Sequence, residues 1–245
     1  MNVLIFAAGL GTRLKPLTDT MPKALVQVKG KSLLSILIEK IKRQMEEMHI
    51  VINIHHFADQ IKRHVIENES YGVDIQFSDE TDQLLDTGGG LKKALPLFPN
   101  NAPVLIHNVD ILSNVNLKDF YNRFSGAVTL MVSKRETTRY LLADDTDKLV
   151  GWTNVNTGEI RSPYKNLNVA KCRKYAFSGI HIVSPSILKP YLDQWQGKFS
   201  IVEFYLSVCD KIDIQCEYNP NLKLVDVGKL DTLNNLQNQN LEELL

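Results

Sequence analysis

Apolar runs and apolar stripes alternate along the first half of the chain. Val3–Ala7 is a short continuous apolar run, which predicts a buried strand. Leu34, Leu37, Ile38, Ile41, Met45 and Met48 then recur at helical spacing. Ile50–Ile54 reads as a second buried strand, Phe57, Ile61 and Val65 as a helix face, and Val73–Phe77 as a third strand. Gly88-Gly89-Gly90 opens a short helix ending near Pro96. Val104–Val109, Asn116–Phe124 and Val128–Val132 predict strand, helix and strand. This order predicts an α/β fold with a parallel sheet covered by helices on both faces.

The rhythm changes after Lys134. Tyr140–Ala143, Leu149–Trp152 and Glu159–Arg161 look like short antiparallel strands joined by turns such as Asn156-Thr157-Gly158, forming a small insertion. Phe177–Val183 returns to a buried-strand pattern and Pro185–Trp195 to a helix, with Leu222–Val227 as the last strand. Leu233, Leu236, Leu241 and Leu244 mark a C-terminal helix over 229–245. With no repeat, low-complexity stretch or linker, one domain over 1–245 is expected, dividing into portions 1–134 and 135–228 before that helix.

Composition narrows the partners. Lys+Arg and Asp+Glu each total 28, so no global field draws nucleic acid or an anionic membrane, and any anion site must be local. Cys172, Cys209 and Cys216 lack metal-like spacing, and the N-terminus enters a strand without a basic or cleavable leader. A reduced, cytoplasmic protein with no membrane span is expected.

The chemistry concentrates where the first strand ends. Gly9-Leu10-Gly11 is followed at once by Thr12, Arg13 and Lys15, with Lys23 behind Pro22. Bare backbone N–H groups beside several cations make a polyphosphate site. A dinucleotide fingerprint is excluded because its third glycine would fall at Leu14. A P-loop ending at Gly30-Lys31-Ser32 is excluded because its first glycine would fall at Leu25. Asp110 follows Val104–Val109, and Asp226 lies within Val225-Asp226-Val227-Gly228. A carboxylate closing an apolar strand is costly unless paired or metal-bound. Two of them beside a polyphosphate loop suggest Mg²⁺, which takes one or two carboxylates plus phosphate oxygens and water.

Gly9-Leu-Gly11-Thr12-Arg13-Leu14-Lys15-Pro16-Leu17-Thr18, then Pro22-Lys23-Ala24-Leu25, closely resembles the signature of the sugar-1-phosphate nucleotidyltransferases. Asp86-Thr87-Gly88-Gly89-Gly90, Phe177-Ser178-Gly179-Ile180 and Gly197-Lys198-Phe199 resemble segments of the N-acetylmuramate-1-phosphate uridylyltransferase group, with Asp86 in place of a glutamate. The resemblance runs from residue 1 to about Gly228. It implies a glycosyltransferase-A-like fold, Rossmann-like, with a mixed, mostly parallel sheet and the antiparallel insertion on the substrate side. Residues 1–134 would then be the nucleotide-binding half and 135–228 the sugar-binding half.

The implied reaction joins a nucleoside triphosphate to a sugar-1-phosphate with release of pyrophosphate. By resemblance Arg13 stabilises the leaving pyrophosphate, Lys23 sits near the α-phosphate, and Asp110 with Asp226 holds Mg²⁺. Ala8, Gly9, Gly11 and Thr12 would face the nucleotide, as would Gln83, Thr87, Gly88 and Gly89, whose glycines would let backbone approach the base closely. Asn108, Arg139, Ser178 and Gly179 would form the sugar side. UTP with N-acetylmuramate-1-phosphate, in cell-wall recycling, is the leading pair. Mannose- or heptose-1-phosphate guanylyl transfer, phosphocholine cytidylyl transfer and a non-catalytic nucleotide-sugar sensor are the alternatives. A monomer is expected.

The chain departs from the pattern in places. Val109 replaces a glycine, which would narrow the cleft, and Lys229-Leu230 replaces Thr-Pro. A Glu-Lys-Pro element is missing, with Tyr164-Lys165-Asn166 a loose echo, so the sugar-phosphate contact is unassigned. His55-His56 reads as a polar strand end, His107 as a packed strand residue, and Trp152 and Trp195 as core.

Overall fold

The computed structural model describes residues 1–241 and Leu244. Its strands are β1 (Asn2–Phe6), β2 (Gln27–Val28), β3 (Lys31–Ser32), β4 (His49–Ile54), β5 (Asp74–Asp79), β6 (Val104–Asn108), β7 (Ile111–Ser113), β8 (Val128–Ser133), β9 (Arg139–Ala143), β10 (Leu149–Asn154), β11 (Glu159–Arg161), β12 (Arg173–Val183), β13 (Ile214–Tyr218) and β14 (Leu224–Asp226). The helices are α1 (Leu33–Gln44), α2 (Ala58–Glu67), α3 (Asp86–Ala94), α4 (Leu117–Asn122), α5 (Pro185–Leu192), α6 (Ile201–Val208) and α7 (Leu230–Gln237). The tail helix expected over 229–245 is observed only as the shorter α7, which ends at Gln237; residues 242, 243 and 245 lie outside the described residues. Among the described residues no helix is long and apolar enough to cross a membrane.

The main sheet runs β11-β10-β9-β12-β6-β1-β4-β5, with β8 on β12 and β13 beyond β8. It is mixed: β5, β4, β1 and β6 are mutually parallel, as are β8 and β13, whereas β12 is antiparallel to β6, β8 and β9. The eleven-residue β12 joins the two portions, because β6 lies along its C-terminal half and β9 along its first three residues. The antiparallel insertion therefore continues the sheet rather than sitting apart from it.

Alternation on β1 shows how the two faces are filled. Val3, Ile5 and Ala7 join a core with Leu34, Ile38 and Ile41 of α1, Ile61 and Val65 of α2, and Phe120 of α4. Leu4 and Phe6 point the other way, to Leu91 of α3, Leu188 of α5 and Phe204 of α6. Full burial of each Val, Leu, Ile or Phe among these contributes about 1.5–3 kcal/mol. Helix α1 starts where Ser32 Oγ accepts from Ser35 N at 3.0 Å, and α4 where Asn116 Oδ1 accepts from Asp119 N at 3.0 Å.

Three features differ from the expectation drawn from sequence. The last strand is shorter, Leu224–Asp226, and leaves the main sheet to pair antiparallel with β7. Helix α6 has apolar residues on nearly every side, IVEFYLSV, so no helical period stands out. Strand β13 is half polar and sits at the sheet margin, where it pairs with β8 and makes a single bridge to Lys148.

Candidate active site

Strand β1 delivers the glycine turn to the carboxyl edge of the sheet, beside the end of β6. A cleft of about 450 Å³ opens there, lined among others by Ala8, Gly9, Gly11, Thr12, Arg13 and Lys23 on one wall. Gly11 adopts φ +64°, and a Cβ on it would lie 2.8 Å from Thr18 Cγ2. The turn is tied by Thr18 Oγ1 and Leu14 N, which both donate to the Gly11 carbonyl at 2.8 Å. A single helical turn, Thr12–Leu14, then carries Arg13 forward, and a second, Lys23–Leu25, begins after the extended Pro22.

Lys23 is buried and donates to Asp110 Oδ2 in an ion pair whose side chains are 11% and 19% exposed. Asp226 arrives by an indirect route. The β7/β14 ladder sets it opposite Ile111, and Val227 N donates to the Asp110 carbonyl at 2.8 Å, so the two aspartates become neighbours. Asp226 Oδ1 is buried and has no hydrogen-bond partner among the described residues. A Cβ on Gly228 would lie 2.7 Å from that oxygen and 2.8 Å from Arg13 Nη2. Glycine at 228 thus lets the guanidinium and the carboxylate approach the same spot. The pair of carboxylates, one oxygen of which lacks any donor, fits the small carboxylate share of a Mg²⁺ shell; no cluster of three or more acidic, histidine or cysteine ligands exists among the described residues.

Helix α3 forms the facing wall. Asp86 and Thr87 line the cleft, but Gln83, Gly88 and Gly89 do not. The amides of Gly88 and Gly89 donate to the Phe199 carbonyl at 2.9 and 3.3 Å. A Cβ on Gly88 would fall 2.4 Å from the Phe199 ring, and one on Gly89 would fall 2.5 Å from the Gly197 carbonyl. The glycines are there to seat α3 against the 197–199 segment. That segment also brings the exposed Lys198 into the cleft.

The expected sugar side is only partly gathered. Asn108 lines the cleft, and Gly179, at φ +76°, leaves room for its amide, since a Cβ there would lie 2.6 Å from Asn108 Nδ2. Ser178 Oγ is committed to the Met131 carbonyl at 2.6 Å, at the point where β12 loses register with β8. Arg139 is exposed at the start of β9 and does not line the cleft. Val109, whose bulk was expected to narrow the cleft, lines it with a side chain buried among Ile111 and Leu112.

Polar groups that periodicity passed over also reach the cleft: Asn53 at the end of β4 and the fully buried Glu80 just after β5. Burial raises the Glu80 carboxyl above its ordinary range, opposed by hydrogen bonds from Leu85 N and Asn53. Their signal in sequence was a polar residue set against an apolar strand, which two other residues share without reaching the cleft. His55 Nδ1 donates to the Glu80 carbonyl at 2.6 Å, and the fully buried His107 is held neutral by desolvation, its pKa lowered to about 4.

The model of the family described as nucleotidyl transferase matches residues 2–243. The chain is 32% identical over 212 residues to the N-acetylmuramate alpha-1-phosphate uridylyltransferase of Caulobacter vibrioides, covering 82% of this chain and 81% of that protein. It is 39% identical over 130 residues to the enzyme of the same name from Neisseria meningitidis, covering 53% and 54%. Its fold is similar to that of HddC from Yersinia pseudotuberculosis, solved with GMP-PN: TM-score 0.74, 22% identity, covering 96% of this chain and 97% of that one.

Proposed function

The chain belongs to the nucleotidyl transferase family, and within it we propose an enzyme that joins UTP to N-acetylmuramate-1-phosphate, giving UDP-N-acetylmuramate and pyrophosphate. The sugar-1-phosphate class rests on the family match and on relatives that carry this activity in name. The observation that carries the chemistry is the meeting of Arg13, Lys23 and Asp110 in the lining of the cleft; Asp226 does not line it, but its Oδ1 and the Arg13 guanidinium both crowd the space over Gly228, which does.

An oxygen of the sugar phosphate attacks the α-phosphorus, and the bond from that phosphorus to the bridging oxygen of the β-phosphate breaks. The bonding pair leaves with pyrophosphate, and the attacking oxygen is already an anion, so no strong base is required. Catalysis is then positioning and charge neutralisation. Lys23 offsets charge at the α-phosphate, shared with Asp110; Arg13 faces the departing pyrophosphate; the Gly9–Gly11 turn offers backbone N–H groups. Asp110 and Asp226 would hold Mg²⁺, which when bound supplies further neutralisation of the triphosphate. Thr87 and α3 border the base, and Asn108 with Gly179 the sugar; Lys198 is the cation best placed to take up the unassigned phosphate contact. Gln83, Gly88 and Gly89 act on the base by shaping that wall, and Ser178 and Arg139 on the sugar from outside the cleft. A cytoplasmic monomer serving cell-wall recycling completes the proposal.

Thermal-shift measurements with UTP, GTP, CTP and dTTP, each with Mg²⁺, test the base, and pyrophosphate release with N-acetylmuramate-1-phosphate against mannose-1-phosphate tests the sugar. UTP should stabilise most and the muramate should turn over fastest. Equal stabilisation by all four triphosphates would remove the uridylyl assignment.

A further inference from the structure

Five polar groups at the cleft form a hydrogen-bonded relay that converges on one carboxyl group. Ala7 N and Ala8 N, at the start of the glycine turn, donate to Asn53 Oδ1 at 2.6 and 3.2 Å. Asn53 Nδ2 donates to Glu80 Oε1 at 2.9 Å. From the other side Leu85 N, at the mouth of α3, donates to Glu80 Oε2 at 3.0 Å. Backbone N–H groups can only donate, so the orientation of Asn53 is fixed, and both chains end on Glu80 as acceptor. Glu80 thus accepts on both oxygens, which a glutamine amide could not do. Glu80 is fully buried and enters no ion pair among the described residues, so its desolvation is offset first by these donors and then by the more distant charges of Lys93 and His55. Gly90 adds an independent sign that the place is built for the pair: a Cβ there would lie 2.8 Å from Glu80 Oε1 and 3.1 Å from Asn53 Nδ2.

We infer that Glu80 is the positioning residue that locks the glycine turn of β1 to the wall formed by α3, setting the width of the nucleotide half of the cleft. It acts through Asn53 on one wall and Leu85 on the other. The inference rests on the nucleotidyltransferase reading for its functional consequence, and on the relay's polarity for its structure.

The polarity makes an exchange test possible. Glu80→Gln alone sets an amide N–H against either Asn53 Nδ2 or Leu85 N. Asn53→Asp alone sets two carboxylates face to face. Combining the two reverses only the middle bond: the amide at 80 donates to the carboxylate at 53, which still accepts from Ala7 and Ala8, while the amide oxygen at 80 accepts from Leu85. Each single variant should weaken MgUTP binding by about tenfold or more, the cost of a buried donor or acceptor left unsatisfied. The KM for N-acetylmuramate-1-phosphate should stay within about twofold, and the double variant should recover MgUTP binding to within about threefold of wild type. A role confined to general stability would instead lower the melting temperature without this split and without recovery. A double variant no better than the weaker single one overturns the inference. Should a single variant not fold, recovery of a folded, MgUTP-binding double variant supports it, and failure of all three overturns it. If wild type binds no nucleoside triphosphate, the functional reading falls and amide exchange decides the relay: Ala7, Ala8 and Leu85 should exchange faster in each single variant and slow again in the double one. Unchanged exchange in the single variants overturns it.

Discussion

His181 is a histidine on β12 buried among aromatic side chains. Its ring lies between Phe177 and Tyr205, at 5.4 and 5.8 Å between centroids, and neither ring nitrogen has a hydrogen-bond partner among the described residues. Desolvation, aided by His107, holds it neutral, with its pKa lowered to about 3 from 6.5. Its folded pKa lies below the unfolded one, so the unfolded chain binds more protons between these values and stability falls as pH drops below 6.5. In urea titrations at pH 7 and pH 4.5, His181→Phe should lose about 2–3 kcal/mol less than wild type over that interval, from about 1.4 kcal/mol per pH unit. An equal loss in both proteins would mean that His181 is already charged in the fold. Lys23 is the contrasting case, a buried cation paired with Asp110. Lys23→Ala or Asp110→Ala should each reduce kcat by about 10²–10³-fold, as for loss of one preorganised charge at a transition state. Single-turnover rates that stay within a few-fold would contradict the roles given to them.

Helix α3 shows how an element can be legible for the wrong physical reason. Three consecutive glycines in sequence point to backbone offered to a ligand, yet the amides and missing side chains of Gly88 and Gly89 serve Phe199 and Gly197, and Gly90 leaves room for Glu80 and Asn53. Composition alone cannot separate these causes, because the partner segment lies about a hundred residues away in the chain. The same holds for Asp226, whose position beside Asp110 depends on the β7/β14 ladder that apolar periodicity did not reveal. The turn after β1 was legible because its glycines, Thr18 and cations are all local, and β1, β4, β5 and β6 because buried parallel strands are continuous apolar runs. In an open helix, Gly88→Ala would gain about 1 kcal/mol. Here its Cβ would meet the Phe199 ring at 2.4 Å, so the substitution should cost about 1–3 kcal/mol in denaturant titration and weaken MgUTP binding with it. A stabilised variant would show that α3 and the 197–199 segment are free to separate.

At the scale of the whole molecule, a chain of zero formal charge holds anions with a few cations arranged on opposite walls of one cleft. The continuous sheet sets those walls: β1 and β6 carry the Arg13–Lys23 side, and the chain beyond α5 returns to place Lys198 across from it. The two walls should respond differently to salt. Lys23 is buried and paired, so its attraction is little screened, whereas Lys198 stands in solvent, where the Debye length is about 8 Å at physiological salt. Lys198→Ala should therefore raise a KM by about two- to fivefold at low salt with kcat nearly unchanged, the signature of binding shared equally by ground and transition states. That penalty should shrink towards nothing in 0.5 M NaCl, while the kcat loss of Lys23→Ala persists. Steady-state kinetics of both variants across ionic strength separates the walls. A Lys198→Ala defect in kcat that survives salt would move Lys198 from holding substrate to stabilising the transition state.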